Sequence, residues 1–301
     1  MTETRTERCG VVTIVGAPNA GKSTLTNALV GQKVAIVSPK VQTTRTRLTG
    51  IAIEGDAQIL LVDTPGIFAP RRRLDRAMVA AAWEGTNAAD IIALIVDAKA
   101  GVRADLEAIL DGLAGRPETL LLVLNKVDLV AKERLLGLAA LLNERLPFAE
   151  IFMIAAESGD GVPDLKRALA TRMPNGPWLY PEDQVSNTTT RLMAAEITRE
   201  QLYLQLHDEL PYAAAVETEK WEERRDGSVA IHQQILIERD TQKAIVLGKG
   251  GARIKAIGEA ARAELTQALG RRAHLFLHVK VAPGWAENRS TYRDMGLDWV
   301  E

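Results

Sequence analysis

Five short apolar runs in the first part of the chain constrain the fold most strongly. Each run is continuous rather than alternating, which is typical of strands buried on both faces of a parallel sheet. Helix-like stretches separate them, such as STLTNALV before Gly31, where a glycine suits the end of a helix. This order predicts a doubly wound, mostly parallel α/β sheet. The runs are VVTIV (11–15), ILLVD (59–63), IIALIV (91–96), LLLVL (120–124) and IFMIA (151–155).

The alternation stops near Pro174, where a segment rich in Pro, Asn, Ser and Thr begins. Beyond it we expect a long helix ended by Pro211, a hairpin at Asp226-Gly227, two helices and a last strand. This order is α-β-β-α-α-β, a compact α+β unit. A chain of 301 residues is long enough for two domains with separate cores. The predicted division is an α/β domain at 8–176, a linker at 177–190, an α+β domain at 191–288 and a tail at 289–301.

Charge and cysteine content narrow the class of protein. The chain has 37 basic and 39 acidic residues, which argues against a uniformly basic nucleic-acid binder but leaves room for a local basic patch. Its single cysteine, Cys9, cannot form an internal disulfide, so a reducing compartment fits. The first residues lack the apolar core of a signal peptide, and no apolar run approaches the roughly 20 residues that span a bilayer. We therefore expect a cytoplasmic protein.

The stretch GAPNAGKST (16–24) has the spacing G-x-x-x-x-G-K-[ST], directly after a predicted strand and before a predicted helix. That context is the one a phosphate-binding loop requires. Glycines let backbone N–H groups approach phosphates, the lysine would reach the β and γ phosphates, and the serine would ligate Mg²⁺. We expect nucleotide contacts from Gly16, Asn19, Ala20, Gly21, Lys22, Ser23 and Thr24.

Two further motifs follow later strands. In DTPG (63–66), Asp63 can hold the Mg²⁺ hydration shell and the Gly66 N–H can sense the γ-phosphate. In NKVD (125–128), Asn125 would tie its loop to the phosphate loop and the Lys126 stem would cover the base. Asp128 can accept two hydrogen bonds from guanine, a donor pair that adenine lacks. Each motif alone could be an ordinary turn or cap, but three at strand ends predict one nucleotide site.

These three motifs resemble the G1, G3 and G4 motifs of translation-factor-type GTPases. The resemblance implies GTP and GDP as ligands and Mg²⁺ as cofactor. It places a fifth motif at Ala155-Ala156-Glu157, where relatives usually have Ser-Ala-Lys, and the backbone of Ala156 and Glu157 would contact guanine O6. It places the second motif at QTTRT (42–46), whose threonine ligates Mg²⁺. We favour Thr44, with Thr43 as the alternative. The expected metal ligands are Ser23, Thr44 and Asp63, and the expected catalytic residues are Lys22, Thr44 and Gly66.

One departure from Ras-like enzymes follows Gly66, where Ile67 replaces a glutamine. An isoleucine cannot orient the attacking water, so we expect slow intrinsic turnover and an activating partner or ion. In related GTPases an asparagine at the position of Asn19 can help to hold K⁺, and a simple loop cap is the alternative role. Ile67 also keeps open a factor that binds GTP and RNA without hydrolysis.

A second glycine cluster, GKGG (248–251), has neither the spacing of a phosphate-binding loop nor the companion motifs. Its Gly-x-x-Gly pattern between two predicted helices of an α-β-β-α-α-β unit resembles a type II KH domain. Such loops clamp the backbone of single-stranded RNA or DNA. The resemblance implies RNA contacts from Gly248, Lys249, Gly250, Gly251, Arg253 and Lys255.

The helix sequence RLMAAEITREQLYLQLHDELPYA, the RIKAIGEAAR segment and VKVAPGWA are similar to the second half of the Era family of bacterial GTPases. The resemblance covers nearly the whole chain. It implies a GTP-hydrolysing switch that binds near the 3′ end of 16S rRNA during small-subunit assembly, with peripheral association with the inner membrane. We expect a monomer. A tRNA-modification GTPase is a poorer fit, because the chain has no accessory domain for one-carbon chemistry.

Overall fold

The computed structural model describes residues 6–40, 43–45, 47–206, 214–294 and 296–300. These residues form two compact units. The first unit contains the described residues up to Ala35, Thr44–Asn187 and residues 296–300. The second contains Thr188–Asp294 and also the described residues of Ile36–Thr43, which lie between two elements of the first unit in sequence. Proximity in the chain therefore does not decide which unit a segment joins.

The first unit contains a six-stranded sheet with the strand order β2-β3-β1-β4-β5-β6. The strand β2 pairs antiparallel with β3, and all other neighbours are parallel, which confirms the predicted mostly parallel sheet. Its elements are β1 (Arg8–Val15), α1 (Lys22–Val30), β2 (Leu48–Glu54), β3 (Ala57–Asp63), α2 (Arg73–Glu84), β4 (Ile91–Asp97), α3 (Ala104–Leu113), β5 (Thr119–Asn125), α4 (Lys132–Arg145), β6 (Glu150–Met153) and α5 (Val162–Arg172).

Helices cover both faces of this sheet, which explains why its strands are apolar throughout. The strand β4 shows the division: Ile91, Ala93 and Ile95 pack into one core cluster with residues of α1 and α5. The alternate residues Ile92, Leu94 and Val96 pack into a second cluster with residues of α3 and α4. The loops at the carboxyl ends of the parallel strands are thereby held on a rigid, two-sided core.

The strand β2 is absent from the sequence prediction, because its residues LTGIAIE form an edge strand whose apolar run is interrupted by a glycine. Its outer edge is covered by part of the segment predicted as a linker. The Ile51 N–H donates to Val185 O (2.8 Å) and the Asn187 N–H donates to Thr49 O (3.1 Å). The covering chain supplies partners for an edge that would otherwise invite strand addition. Residues 177–187 thus pack as part of the first unit.

The second unit contains a three-stranded sheet with the order β7-β8-β9, in which β7–β8 is antiparallel and β8–β9 is parallel. The order of elements is the predicted α-β-β-α-α-β, followed by one short helix. The hairpin turns at Asp226-Gly227, where the Ser228 N–H donates to the Asp226 carboxylate (3.0 Å). The predicted helix end at Pro211 lies outside the described residues. The elements are α6 (Thr190–Gln205), β7 (Ala214–Glu223), β8 (Val229–Ile237), α7 (Asp240–Leu247), α8 (Ala252–Ala268), β9 (Ala273–Val281) and α9 (Arg289–Asp294).

Among the residues that the structure describes, none of the helices combines the length and the apolar character needed to cross a bilayer.

Candidate nucleotide site and glycine-rich loop

The phosphate-binding loop connects β1 to α1, and two of its residues have no room for a side chain. A Cβ added at Gly16 would lie 2.4 Å from the Ile95 carbonyl oxygen. A Cβ added at Gly21, which has φ of +100°, would lie 2.2 Å from the Asn125 amide nitrogen. Asn19 also has a left-handed backbone (φ 61°), which asparagine adopts more readily than most residues. The two motif glycines therefore let the loop lie close to neighbouring strands.

Lys22 begins α1, and its side chain is buried against this loop. Its Nζ donates to the carbonyl oxygens of Gly16 (3.0 Å) and Ala17 (2.9 Å). Burial lowers the pKa of Lys22 to about 8, although the Asp63 carboxylate opposes the shift. A phosphate group beside the ammonium would favour its charged form again. Lys22 is thus placed as a cation that a phosphate would stabilise.

Three oxygen-bearing side chains meet at the start of α1. Ser23 Oγ donates to Asp63 Oδ2 (2.7 Å), and Thr44 Oγ1 lies 2.7 Å from Ser23 Oγ and 3.3 Å from Asp63 Oδ2. Asp63 Oδ1 is buried and has no hydrogen-bond partner among the described residues. Burial raises the pKa of Asp63, and the Ser23 hydroxyl and Lys22 oppose that shift. An all-oxygen set with one unsatisfied carboxylate oxygen fits Mg²⁺.

The structure separates the two threonines that the sequence left as alternatives. Thr44 lies at the oxygen cluster, whereas Thr43 Oγ1 donates to Lys40 O (2.9 Å) and pairs with Ser38 Oγ (3.0 Å). Gln42 and Thr46, the ends of the predicted motif, lie outside the described residues. Among the described residues, no three His, Cys, Asp or Glu side chains form a group that could hold a metal ion. A metal ion beside Asp63 would therefore also need the hydroxyl groups of Ser23 and Thr44.

The DTPG segment lies against the phosphate-binding loop. The Ile67 N–H donates to Gly16 O (3.2 Å), and a Cβ added at Gly66 would lie 3.0 Å from backbone atoms of Pro18. The Ile67 side chain is 4% exposed and packs into the second core cluster. A buried aliphatic side chain has no polar atom with which to orient a nucleophile, so the expectation of slow intrinsic turnover stays a prediction.

Asn125 joins three loops on the base side of the site. Its Nδ2 donates to Ala20 O (2.8 Å), and its Oδ1 accepts from the Ala156 N–H (3.0 Å). The neighbouring Lys126 Nζ donates to Asn19 O (2.8 Å). The structure therefore brings NKVD, the phosphate-binding loop and the fifth motif together, as the resemblance implies. Asp128 is exposed on a 3₁₀ turn, Glu157 is exposed beside Ala156, and Thr24 is half-buried in the first turn of α1.

Asp97, the last residue of β4, is not among the residues predicted from the sequence. Its Oδ2 accepts from Lys126 Nζ (2.6 Å), and its Oδ1 accepts from the N–H groups of Lys99 and Ala100. Asp97 therefore fixes the lysine that we expect to cover the base. An acidic residue directly after IIALIV was the signal available, but a lone Asp at a strand end is too common to indicate a role.

The Gly-x-x-Gly loop links α7 to α8. A Cβ added at Gly248 would lie 2.7 Å from Arg253 Cβ, so Gly248 permits close approach of the two helices. Gly250 and Gly251 have left-handed backbones with open space around them. Arg253 Nη1 donates to Ile245 O (3.2 Å) and so braces the end of α7. Lys249, Gly250 and Lys255 are exposed and available to a ligand.

Comparisons with known proteins match both units of the chain to known domain families. A family model described as 50S ribosome-binding GTPase matches residues 11–126, and one described as KH domain matches residues 209–286. The GTPase Era of Erythrobacter litoralis is 60% identical over 304 aligned residues, which cover 100% of each chain. The chain belongs to the Era family of GTPases. Membership decides for the GTP-hydrolysing enzyme over a factor that only binds GTP, and it confirms the resemblance on which the sequence analysis rests.

Other Era proteins, two solved structures among them, also match nearly the whole chain. The GTPase Era of Afipia carboxidovorans is 59% identical over 292 residues, covering 97% of this chain and 95% of the relative. A crystal structure of Era in complex with MgGDPNP and nucleotides 1506–1542 of 16S ribosomal RNA matches with a TM-score of 0.92 and 36% identity. An Era variant from Aquifex aeolicus bound to GDP·AlF4⁻ matches with a TM-score of 0.91 and 36% identity. Each alignment covers 96% of this chain and 99% of the solved chain.

Proposed function

We propose that this Era-family GTPase is a GTP-controlled switch whose KH domain binds the 3′ region of 16S rRNA and assists assembly of the small ribosomal subunit. One observation carries the proposal. A nucleotide site and a Gly-x-x-Gly loop occur in one chain, and a solved Era relative holds MgGDPNP and a 16S rRNA segment in the same complex. GTP would order the loops around Thr44 and Gly66, and that order would control RNA binding.

For nucleotide binding, we assign roles to residues that lie together in the first unit. Lys22 binds the β and γ phosphates, and Ser23, Thr44 and Asp63 hold Mg²⁺, which neutralises charge on the phosphates when bound. The Gly66 N–H contacts the γ-phosphate. Asp128 reads guanine, with Asn125 and Lys126 holding the loop. Catalysis is then mainly positioning and charge stabilisation. K⁺ binding beside Asn19 stays a prediction, which hydrolysis rates in K⁺ and Na⁺ buffers would test.

For RNA binding, we assign roles to residues of the loop between α7 and α8 and the start of α8. The loop leads directly into α8, a helix of 17 residues whose first N–H groups attract anions. Lys249 and Lys255 supply exposed positive charge for RNA phosphates, and Gly250 and Gly251 allow close approach of the polymer backbone. Arg253 contributes both charge and the brace to Ile245. A monomeric state, a cytoplasmic location and peripheral inner-membrane association stay predictions of the family resemblance.

A matched pair of variants tests the RNA site. Asn and Asp both tolerate the left-handed backbone of Gly250, where an added Cβ meets nothing within 4 Å. Gly250→Asp and Gly250→Asn therefore differ mainly in charge. We expect Gly250→Asp to weaken binding of a 16S 3′-end RNA at least about tenfold by repulsion from its phosphates, and Gly250→Asn to bind nearly as the native chain does. GTP affinity should be unchanged in both.

Two outcomes of this titration, and one of a cosedimentation experiment, would count against the proposal. Equal RNA affinity in the native chain and Gly250→Asp would remove the loop from the RNA site. Equal affinity of the native chain with GDPNP and with GDP would remove the switch. Cosedimentation with 50S rather than 30S subunits would overturn the small-subunit assignment. This experiment is needed because the description of the matched family model names the 50S subunit.

A further inference from the structure

A short stretch of chain directly before Thr44 belongs to the second unit, together with α6. We call the described residues among 36–43 the 36–43 segment. The Val37 N–H donates to the Glu200 carboxylate (2.7 Å), Lys40 Nζ donates to Leu206 O, and the Arg199 guanidinium donates to Thr43 O. All three partners belong to α6 or to the residue that ends it. This short segment is thus fixed at its beginning, middle and end by one helix.

The two charged partners on α6 are buried. Arg199 is 2% exposed and Glu200 is 4% exposed. Buried charges cost free energy unless they are paired and hydrogen-bonded, so a helix that only needed a core would carry apolar residues here. Arg199 pairs with Glu196 and lies over the Tyr203 ring at 5.2 Å. Burial alone would lower the pKa of Arg199, but Glu196 outweighs this and raises it, so the guanidinium stays charged.

The last residue of the segment, Thr43, directly precedes Thr44, which belongs to the oxygen cluster with Ser23 and Asp63. The Thr43 carbonyl accepts from Arg199, and the next side chain, Thr44, lies 2.7 Å from Ser23 Oγ. Consecutive Cα atoms are only about 3.8 Å apart, so holding the Thr43 carbonyl restricts where the Thr44 hydroxyl can go. The Thr43 side chain is pinned as well, through Ser38 and Lys40 O. Thr44 therefore follows a residue whose carbonyl and hydroxyl groups are both already hydrogen-bonded.

We propose that Arg199 and Glu200 are positioning residues for GTP hydrolysis, which hold the 36–43 segment so that Thr44 is presented to Mg²⁺ and the triphosphate. Neither residue touches the nucleotide; both act through Thr44. The proposal rests on the magnesium site assigned above to Ser23, Thr44 and Asp63, and it makes α6 of the RNA-binding unit part of GTP recognition. By linkage, any ligand that displaces α6 from the 36–43 segment changes GTP affinity by the same factor as GTP changes affinity for that ligand.

The experiment compares two arginines of α6 in the full chain. Arg199→Met removes the donor to Thr43 and keeps the side-chain length. Arg191→Met is the matched control, because Arg191 donates to the carbonyls of Thr218 and Glu219, and none of its hydrogen bonds reaches the 36–43 segment. Switch threonines bind Mg²⁺ in the triphosphate state, so the readout is the ratio of GDPNP to GDP affinity. We expect Arg199→Met to weaken Mg²⁺·GDPNP binding and kcat about tenfold, with GDP affinity changed less than about twofold. Arg191→Met should change neither.

Further variants separate positioning from folding. Arg199→Lys keeps one charged donor and should recover part of the GDPNP affinity. Lys40 lies outside any helix or strand, and Lys40→Met removes its hydrogen bond to Leu206 O. This variant therefore weakens the attachment of the 36–43 segment without a substitution in α6. It should lower GDPNP affinity and leave GDP affinity and the melting temperature unchanged. The proposal would be overturned if Arg199→Met and Lys40→Met lowered the affinities for GDPNP and GDP equally. It would also be overturned if neither affinity changed in these variants. If the native chain bound RNA with the same affinity whatever nucleotide was present, the proposed switch would fail. The effect of Arg199→Met on the ratio of GDPNP to GDP affinity would not depend on that result.

Discussion

At the scale of single residues, side chains that each make two hydrogen bonds tie the loops of the nucleotide site together. Asn125 donates to Ala20 and accepts from Ala156, so one amide fixes the distance between two loops. Lys126 is held from two sides, by Asn19 O and the Asp97 carboxylate. Asp128 differs, because its carboxylate is exposed on the turn that follows. A residue free to meet a ligand thus stands directly beside residues whose hydrogen bonds are already made.

Asp128→Asn should change the preferred base. A carboxylate accepts from both the N1–H and the amino group of guanine, whereas an amide offers one acceptor and one donor. Xanthine has a carbonyl oxygen in place of the amino group, so it complements the amide. We expect GTP affinity to fall at least about 100-fold and xanthosine triphosphate to become the preferred ligand. Competition titrations measure the ratio. Glu157→Gln is the control, since only its backbone is expected at the base, and a variant at Asp128 that still prefers GTP would contradict the assignment.

At the scale of elements, α1 is the helix that presents the phosphate-binding loop, and glycines in left-handed conformation flank it. Gly21 precedes it with φ of 100°, and Gly31 ends it with φ of 87° and donates to Asn27 O. The Asn27 side chain then fixes the following turn by accepting from the Val34 and Ala35 N–H groups. The two glycines have the same backbone requirement but different surroundings, which makes them a matched pair.

Gly21→Ala and Gly31→Ala should separate backbone strain from steric exclusion. Both place alanine at a left-handed φ, which costs about 1–3 kcal/mol of unfolding free energy. Only at Gly21 does the new methyl meet another group, the Asn125 amide, whereas nothing lies within 4 Å at Gly31. We therefore expect Gly21→Ala to lose GTP affinity at least about tenfold and Gly31→Ala to lose stability alone. Urea unfolding and nucleotide titration measure the two effects, and equal GTP affinity in both variants would contradict this explanation.

At the scale of the whole molecule, 37 basic residues are balanced by 39 acidic ones, so RNA attraction has to be local. The sequence predicts this local patch at Lys249, Arg253 and Lys255, in and just after the Gly-x-x-Gly loop. A near-neutral chain that binds RNA at one small patch releases few counterions. The salt dependence of RNA binding therefore reports how many phosphates the chain neutralises.

The plot of log affinity against log salt concentration should have a slope of about −2 for a single-stranded 16S 3′-end RNA. Three cations, Lys249, Arg253 and Lys255, each contribute about −0.7. Lys249→Met should make the slope less steep by about 0.7. The control is Lys220→Met, an exposed lysine on β7 paired with Glu222, which should leave the slope unchanged. A slope near −6 would show that RNA uses a much larger basic surface.

Much of the fold could be predicted because its signals are local. The parallel strands are continuous apolar runs, and the hairpin has an Asp-Gly turn, so each is visible within a few residues. The strand β2 was missed because an edge strand carries a weaker pattern and its cover, residues 185–187, lies far along the chain. Asp97 was missed for a related reason: its role depends on Lys126, which is 29 positions away.

The sequence by itself determined the chemistry of both sites, because phosphate and guanine recognition need particular residue types at close spacing. GAPNAGKST, DTPG, NKVD and GKGG each occupy one short loop, and their order identified a GTPase with an RNA-binding domain. Only the tertiary structure placed Thr44 rather than Thr43 beside Ser23 and Asp63 and showed that α6 contacts the 36–43 segment. Arg199 and Thr43 are 156 positions apart. No local periodicity encodes such a contact, since it forms only when the folded chain brings a buried charge and a backbone carbonyl together.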